Sequence, residues 1–261
     1  MLLKMKFDQL KITLCLCIML VLPALSFGDI NTQALFGKGN AYYAKTQYKE
    51  ALATYNQILN AGYQSAAVYF NMGNASYKDG DIASALLYYE KAHRLAPGDD
   101  DINFNIRLAN TKITDRIDET PEFFVTKWWR GFILNFSVNA LAIISIIIAL
   151  LGSGALILYF FSNSISVKKT SFFTAISLFV VGIFLIIIAA DQVNYFDSHR
   201  QAIIFSGPVN VKSGPAEKLG TVFILHDGTK VNVLDSNNGW IKIKLANGNE
   251  GWVKASDAKL I

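Results

Sequence analysis

Apolar and polar positions change rhythm four times along this chain. Residues 12–22 form an apolar stretch, preceded by Lys4, Lys6 and Lys11 and followed by Pro23, Ser26 and Gly28. A basic start, an apolar centre and small residues ahead of Asp29 predict a signal peptide over residues 1–28. An uncleaved short anchor is the competing reading, and either one sends Asp29 onward across the membrane. Beyond it, over 29–120, apolar residues return at three- and four-residue spacings, the period of helices with one buried face. From 132 to 161 and again from 172 to 190 the apolar run is nearly continuous, and no charge occurs between Arg130 and Lys168. Each run is long enough to span a bilayer, which predicts transmembrane helices at 132–161 and 172–190 joined by a cytoplasmic loop, 162–171. From 201 to 261 the rhythm becomes alternation: Val231 and Val233, then Trp240, Ile241, Ile243 and Leu245, with turn signals at Asp227-Gly228, Asn237-Asn238-Gly239 and Asn247-Gly248. Five or six short strands in so few residues predict a small closed barrel.

The helical region divides into two units of equal length, 32–65 and 66–99. In the second, Gly73, Ala85, Tyr89, Ala92 and Pro97 occupy the eighth, twentieth, twenty-fourth, twenty-seventh and thirty-second places. The first has Gly39, Ala51 and Tyr55 at matching offsets, Ile58 in the next slot and no proline. Small residues at these places let two helices of a hairpin approach, with tyrosines filling the space around them. Gly80-Asp81 breaks the chain between the helices and Pro97-Gly98 stops the second. The first unit's helices are expected at about 33–45 and 48–61. Ile102, Ile106, Ala109, Ile113 and Ile117 predict an amphipathic capping helix over 100–117. The pattern resembles a tetratricopeptide repeat, most closely over 66–99. Two repeats and a cap sit near the lower limit for a stable stack, which suggests that another protein completes or covers the array.

Composition, charge and chemistry narrow the function. Hydrophobic residues make up 52% of the 261 and charged ones 17%, with the excess concentrated in the runs described above. The formal charge of +4 falls to about +2 without the signal peptide, too little to argue for nucleic acid. Both cysteines, Cys15 and Cys17, lie in that leader, so the mature chain has no disulfide and no thiol nucleophile. His93, His199 and His226 have no metal-ligand neighbour at useful spacing, and no zinc-protease, phosphate-loop or dinucleotide motif occurs. Asp99, Asp100 and Asp101 read as a helix start. The chain is therefore expected to be no enzyme, with no cofactor and no metal. The spans hold no ionisable residue, which disfavours a transporter or channel. Trp128, Trp129 and Arg130 fit an interfacial belt ahead of the first span. With Asp29 outside, Lys168 and Lys169 fall on the cytoplasmic side, and both flanking modules on the periplasmic side of a bacterial inner membrane.

Two candidate binding faces follow. Asn40, Tyr43, Asn71, Asn74 and Tyr77 belong to the first helices of the repeats, where a concave groove would offer aromatic and amide groups to a peptide; packing within the repeats is the competing role for the rings. In the C-terminal region, the run 209–215 (VNVKSGP), Gly228-Thr229, Gly239-Trp240 and Gly251-Trp252-Val253 resemble a bacterial SH3-type domain. Lys212 stands where that family more often has arginine. The acidic and aromatic opening of proline-binding SH3 domains is absent, so proline-peptide recognition is not implied. The resemblance associates Trp240 and Trp252 with cell-wall or peptide binding, although both also suit a barrel's core or rim.

The order of parts, a signal peptide, two repeats, paired spans and an SH3-like barrel, resembles the BatE proteins of Bacteroidetes over nearly the whole chain. That resemblance implies a subunit of an aerotolerance or envelope-stress assembly. Its partners would be von Willebrand A-domain membrane proteins and a MoxR-type ATPase system. The expected fold is a multidomain membrane protein: an all-α tetratricopeptide-like solenoid, two transmembrane helices and an all-β SH3-like barrel. The expected role is a membrane-anchored scaffold. A cell-wall-binding or envelope-sensing protein acting through the SH3-like domain is the alternative.

Overall fold

Two helical hairpins form where small residues let helices touch. The computed structural model describes residues 30–117, 120, 121 and 123–261; the expected signal peptide and both cysteines lie outside them. Helices α1 (Ile30–Ala44) and α2 (Tyr48–Asn60) make the first hairpin, α3 (Ala66–Asp79) and α4 (Ile82–Leu95) the second. A Cβ at Gly39 would overlap the Tyr55 ring, and one at Gly73 the Tyr89 ring, so each glycine is fixed by the aromatic opposite it. Ser65 Oγ accepts from the Val68 N–H at 3.2 Å and Asp81 Oδ1 from the Ser84 N–H at 2.9 Å, capping α3 and α4. Gly80 ends α3 with φ near 90°, a left-handed turn open to glycine. Ala51, Tyr55, Met72, Ala75, Ala92 and Ile102 are buried together between the hairpins and the next helix.

That helix, α5 (Asp100–Asn110), is shorter than the expected 100–117. Asp99 caps its start, accepting from the Asp101 and Ile102 N–H groups. Past Asn110 the chain turns, because Ile113 and Ile117 have different partners. Ile113 packs against α4, and Ile117 against the core of the C-terminal module. Ile102 and Ala109 are buried, Ile106, Ile113 and Ile117 are half-buried, and the helix ends before the last two.

The membrane region also departs from its expected limits. A short helix, α6 (Phe124–Ile133), precedes the first span, and the chain bends before α7 (Val138–Phe161) starts. Ser137 Oγ accepts from the Ala140 N–H at 3.2 Å and begins α7 afresh, so the first span opens at Val138 and not at 132. Only 162–164 separate α7 from α8 (Ile165–Ser198), and Lys168 and Lys169 lie on α8 itself, not in a ten-residue loop. Window hydropathy averages over the first break, because Asn135 and Ser137 are isolated polar residues within an apolar run. Both α7 and α8 are long and apolar enough to cross a membrane. They pack as a pair, with Phe179 over Gly152 and Ile148 over Gly182. At about 1.5 Å per residue, the uncharged stretch of α8 between Lys169 and Asp191 is roughly 30 Å long, the thickness of a bilayer's hydrocarbon core. The remaining two turns continue as helix beyond Asp191.

Seven antiparallel strands follow, in the order β3-β2-β6-β5-β4-β1-β7: β1 (Gln201–Ile204), β2 (Val209–Lys212), β3 (Thr221–Leu225), β4 (Lys230–Asn237), β5 (Trp240–Lys244), β6 (Glu250–Lys254) and β7 (Ala258–Leu260). Their inner faces converge on Ile204, Val211, Leu225, Val231, Ile243 and Val253. The sheet is not the closed barrel expected, because β3 and β7 are edges with no ladder between them. Register shifts at Val211/Lys212 and Val233/Asp235 curl it around its core. The β2–β6 ladder is a single pair, however, and β7 holds three residues, too short to bridge the gap.

The modules pack on one another. Ile203 turns away from the β core and lies among Ala83, Leu86, Leu87 and Ala109 of α4 and α5. Lys230 Nζ pairs with Glu90 at 2.8 Å, and the Glu90 side chain is only 7% exposed. Asp115 accepts from the His226 N–H at 2.7 Å and the Thr229 hydroxyl at 2.8 Å, while the His226 ring Nδ1 lies 2.7 Å from its other oxygen. The cover expected from another protein is thus supplied, over α4, by the chain's own β module. Arg94 pairs with Asp197 of α8 at 2.8 Å, and Gly98 rests against the backbone of Asn135 at the α6–α7 bend. Such contacts require the repeats and the β module to lie on the same side of the α7–α8 pair.

Candidate protein-binding groove

With α4 covered, the opposite face of the repeats remains open. A cleft of about 400 Å³ lies there. Tyr43 of α1 and Phe70, Asn74, Tyr77 and Lys78 of α3 form one wall, Tyr89 of α4 the floor, and Asp101, Phe104, Asn105 and Leu108 of α5 the other wall. The rings are held by one another: Tyr43 lies 5.5 Å from Tyr48 and Phe70 lies 5.9 Å from Tyr89, both tilted. Burial raises the Tyr43 hydroxyl pKa, with Tyr48 adding to it, and raises that of Tyr89 further. Both phenols therefore remain neutral donors. A neutral aromatic surface with one lysine, one aspartate and two amides suits an extended peptide with apolar side chains.

The five residues expected to line this groove divide. Tyr43, Asn74 and Tyr77 line it; Asn40 and Asn71 do not. Asn40 Oδ1 accepts from the Tyr55 hydroxyl at 2.7 Å and from Asn71 Nδ2 at 2.9 Å, joining the two repeats. Asn74 Oδ1 accepts from the Tyr89 hydroxyl at 2.7 Å in the same way, so one acceptor site of its carbonyl is already engaged. Burial pushes the Tyr55 hydroxyl up to about 12, which keeps it the donor in this bond. The asparagine after each Gly39 or Gly73 and the tyrosine on the facing helix form a repeated structural unit. Phe104, 57% exposed on the wall, was not among the residues expected there. Its signal was available: it is a large aromatic off the apolar stripe of α5.

Trp240 and Trp252 lie on neighbouring strands and share the outer face of the β module without sharing a pocket. Trp240 pairs in register with Lys254, and Trp252 with Lys242 and Lys212. Trp240 lines a polar cleft of about 220 Å³ with Ser206, Lys212, Glu217, Lys254 and Asp257. Trp252 stands outside it, half-buried. Within the cleft Lys254 pairs with Glu217, which holds that carboxyl below its usual range, and Ser206 donates to Asp257 at 3.0 Å.

Two of the histidines have polar partners, and His93 is half-buried. His199 Nδ1 meets the Tyr195 carbonyl at 2.9 Å, His226 meets Asp115, and burial lowers the pKa of His93. Among the described residues no group of three His, Cys, Asp or Glu side chains is placed to hold a metal ion.

Comparison with known families agrees with the geometry. The family model described as bacterial SH3 domain matches residues 207–259, and that described as tetratricopeptide repeat matches residues 66–99. Both modules are non-catalytic. The chain is a membrane protein with protein-interaction modules flanking two apolar spans. No curated protein matches it. Among solved structures, an NlpC/P60 family protein from Bacillus cereus is similar at 14% identity with a TM-score of 0.21, over 27% of this chain and 23% of that one. The likeness spans under a quarter of that protein's length.

Proposed function

We propose that this chain is a membrane-held adaptor that receives an extended segment of a protein partner in the groove of its repeats, on the periplasmic side of a bacterial inner membrane. The observation that carries the reading is the division of the repeat surface. One face is filled by the chain's own β module, while the aromatic groove between α1, α3 and α5 is left open. The resemblance to the BatE proteins supports a place in a Bat-type aerotolerance or envelope-stress assembly. Its partners there would be von Willebrand A-domain membrane proteins and a MoxR-type ATPase system. A photo-reactive phenylalanine analogue placed at Phe104 in full-length protein in native membranes tests this. The expected adduct is a von Willebrand A-domain protein, lost when Tyr77→Ala is added. Adducts insensitive to Tyr77→Ala, or none, would sink the groove reading.

A second reading has its own observation. The cleft beside Trp240 offers two lysines and two carboxylates around one indole, a lining suited to a short peptide carrying both charges, such as a cell-wall stem peptide. Loss of muropeptide binding in Trp240→Ala with the groove intact would favour that alternative.

A further inference from the structure

Helix α6 is separated from the first span by a bend and has a sharply divided surface. On a helical wheel, Phe124, Val125, Trp128 and Phe132 fall on one arc, Trp129 and Ile133 on the adjoining one, and Thr126, Lys127 and Arg130 opposite. The Trp129–Ile133 arc is spent on the protein: Ile133 is buried with Leu141 and Ile188, and Trp129 Nε1 donates to Asp191 at 2.7 Å. The first arc is bare. Phe124 is 75% exposed, Trp128 60%, and Phe123 just before the helix 74%. Trp128 stacks on Phe132, and Phe132 meets Phe136 edge-on, so the bare surface runs without interruption into the apolar flank of α7.

The height of α6 along the spans decides what covers that surface. Trp129 ties it to Asp191, the first charge at the end of the uncharged stretch of α8. The next residue, Gln192, donates to the Phe136 carbonyl at 2.8 Å, satisfying a backbone acceptor left open by the bend. Helix α6 is therefore pinned where hydrocarbon gives way to water, with an aromatic arc on one side and basic residues on the other. Indole and phenyl rings favour that boundary, and basic residues there meet phosphate.

We infer that α6 is an in-plane helix seated in the interface of a phospholipid bilayer, on the side of the repeat and β modules. Phe123, Phe124, Trp128 and Phe132 enter the acyl boundary, and Lys127 and Arg130 lie at headgroup level. The inference rests on α7 and α8 crossing that bilayer and is independent of any groove ligand. Because Gly98 contacts Asn135 at the α6–α7 bend, the seated helix also sets the height of the repeat module above the lipid.

The test uses full-length Cys15→Ser/Cys17→Ser protein in phosphatidylcholine–phosphatidylglycerol nanodiscs, spin-labelled singly at Phe124→Cys, Thr126→Cys, Lys127→Cys and Trp128→Cys. The expected result is preferential collision with oxygen at 124 and 128 and with a water-soluble nickel reagent at 126 and 127. Nickel access at all four positions would overturn the inference. So would shielding of 124 and 128 from both reagents, which would mean that a second copy or another protein covers the arc. A label-free measurement guards against a perturbing label. Brominated lipid should quench tryptophan emission of the unlabelled protein, and Trp128→Phe should remove most of the quenchable part. Equal quenching in the two proteins would count against it.

Discussion

Replacing Asp115 with alanine removes one carboxylate that receives the His226 N–H at 2.7 Å, meets the His226 ring at 2.7 Å and receives the Thr229 hydroxyl at 2.8 Å. The carboxylate is 16% exposed, so water replaces few of these partners while the modules stay docked. Hydrogen bonds to a charged group contribute about 1.5–3 kcal/mol each, but three that share one acceptor are not additive. A net loss of about 2–4 kcal/mol is the reasonable range, since undocking lets water reach every group. That corresponds to a roughly 30- to 1,000-fold rise in the fraction of undocked molecules. A cysteine at Ile203, a fully buried side chain packed on α4 and α5, reports undocking through its rate of maleimide labelling. In nanodiscs at neutral pH, Ile203→Cys/Asp115→Ala should label faster than Ile203→Cys by that factor. Asp115→Asn, which keeps one carbonyl acceptor, should fall between. If Asp115→Ala changes the rate by less than about threefold, the carboxylate does not hold the modules together.

Asp115 also predicts a pH dependence. Burial works to raise its pKa, but the hydrogen bonds from the His226 N–H, its ring and Thr229 outweigh burial and hold the carboxyl below its ordinary value. A depressed carboxylate stabilises docking above its undocked pKa and loses that contribution as pH falls through the docked one. The difference in docking between wild type and Asp115→Asn, read from the distance between spin labels on α2 and the β4–β5 turn, should therefore be full at pH 7. It should shrink from about pH 4 downward; a constant difference to pH 2 would refute the assignment. Lys230→Met strands the Glu90 carboxylate and should cost about 3–5 kcal/mol of docking, with Glu90→Gln/Lys230→Met recovering much of it; the same labelling assay reads both. Gly73→Ala should lower the stability of the repeats by about 1–3 kcal/mol through collision with the Tyr89 ring. Thermal unfolding followed by far-UV circular dichroism in nanodiscs would show this, and Gly154→Ala, with open space around it, is the control.

Most of the architecture was legible because it rests on spacing. Gly39, Gly73, Tyr55 and Tyr89 recur at fixed offsets since a ring on one helix needs a bare backbone on the other, and that requirement shows in sequence. Apolar length likewise locates α7 and α8. Three things did not show. The bend before Val138 depends on a hydroxyl cap at Ser137 inside apolar sequence, and window hydropathy averages it away. Ile113 and Ile117 kept helical spacing while serving two different modules. Openness of the β sheet depends on how far its strands extend, which turn residues do not reveal. In the groove, Tyr43 and Tyr77 are legible because the first helices of such repeats line the concave face. Asn40 and Asn71 read as outward because their partners, Tyr55 for Asn40 and Asn40 for Asn71, lie on other helices and are invisible to local pattern.

Connectivity explains why contacts this modest suffice to join the modules. Covalently, the repeats continue into the spans through the segment from 111 to 123, and the β module joins them through His199 and Arg200 at the end of α8. No segment joins the repeats to the β module directly. Their contact therefore closes a ring through strap, spans and strut, and each module meets the other at an effective concentration set by short tethers, on the order of millimolar. At such concentrations the single ion pair to Glu90, the Asp115 cluster and the apolar seat of Ile203 have only to overcome a small loss of freedom. The strut is stiff, since α8 stays helical to Ser198 and Arg94 braces it at Asp197. Arg200 is itself fastened, its carbonyl accepting from the Val233 N–H at 2.7 Å. Undocking must then be taken up at the other end of the ring, just after α5, where Asp115 lies. Shortening or stiffening that strap should hold the modules together even when Asp115 is gone.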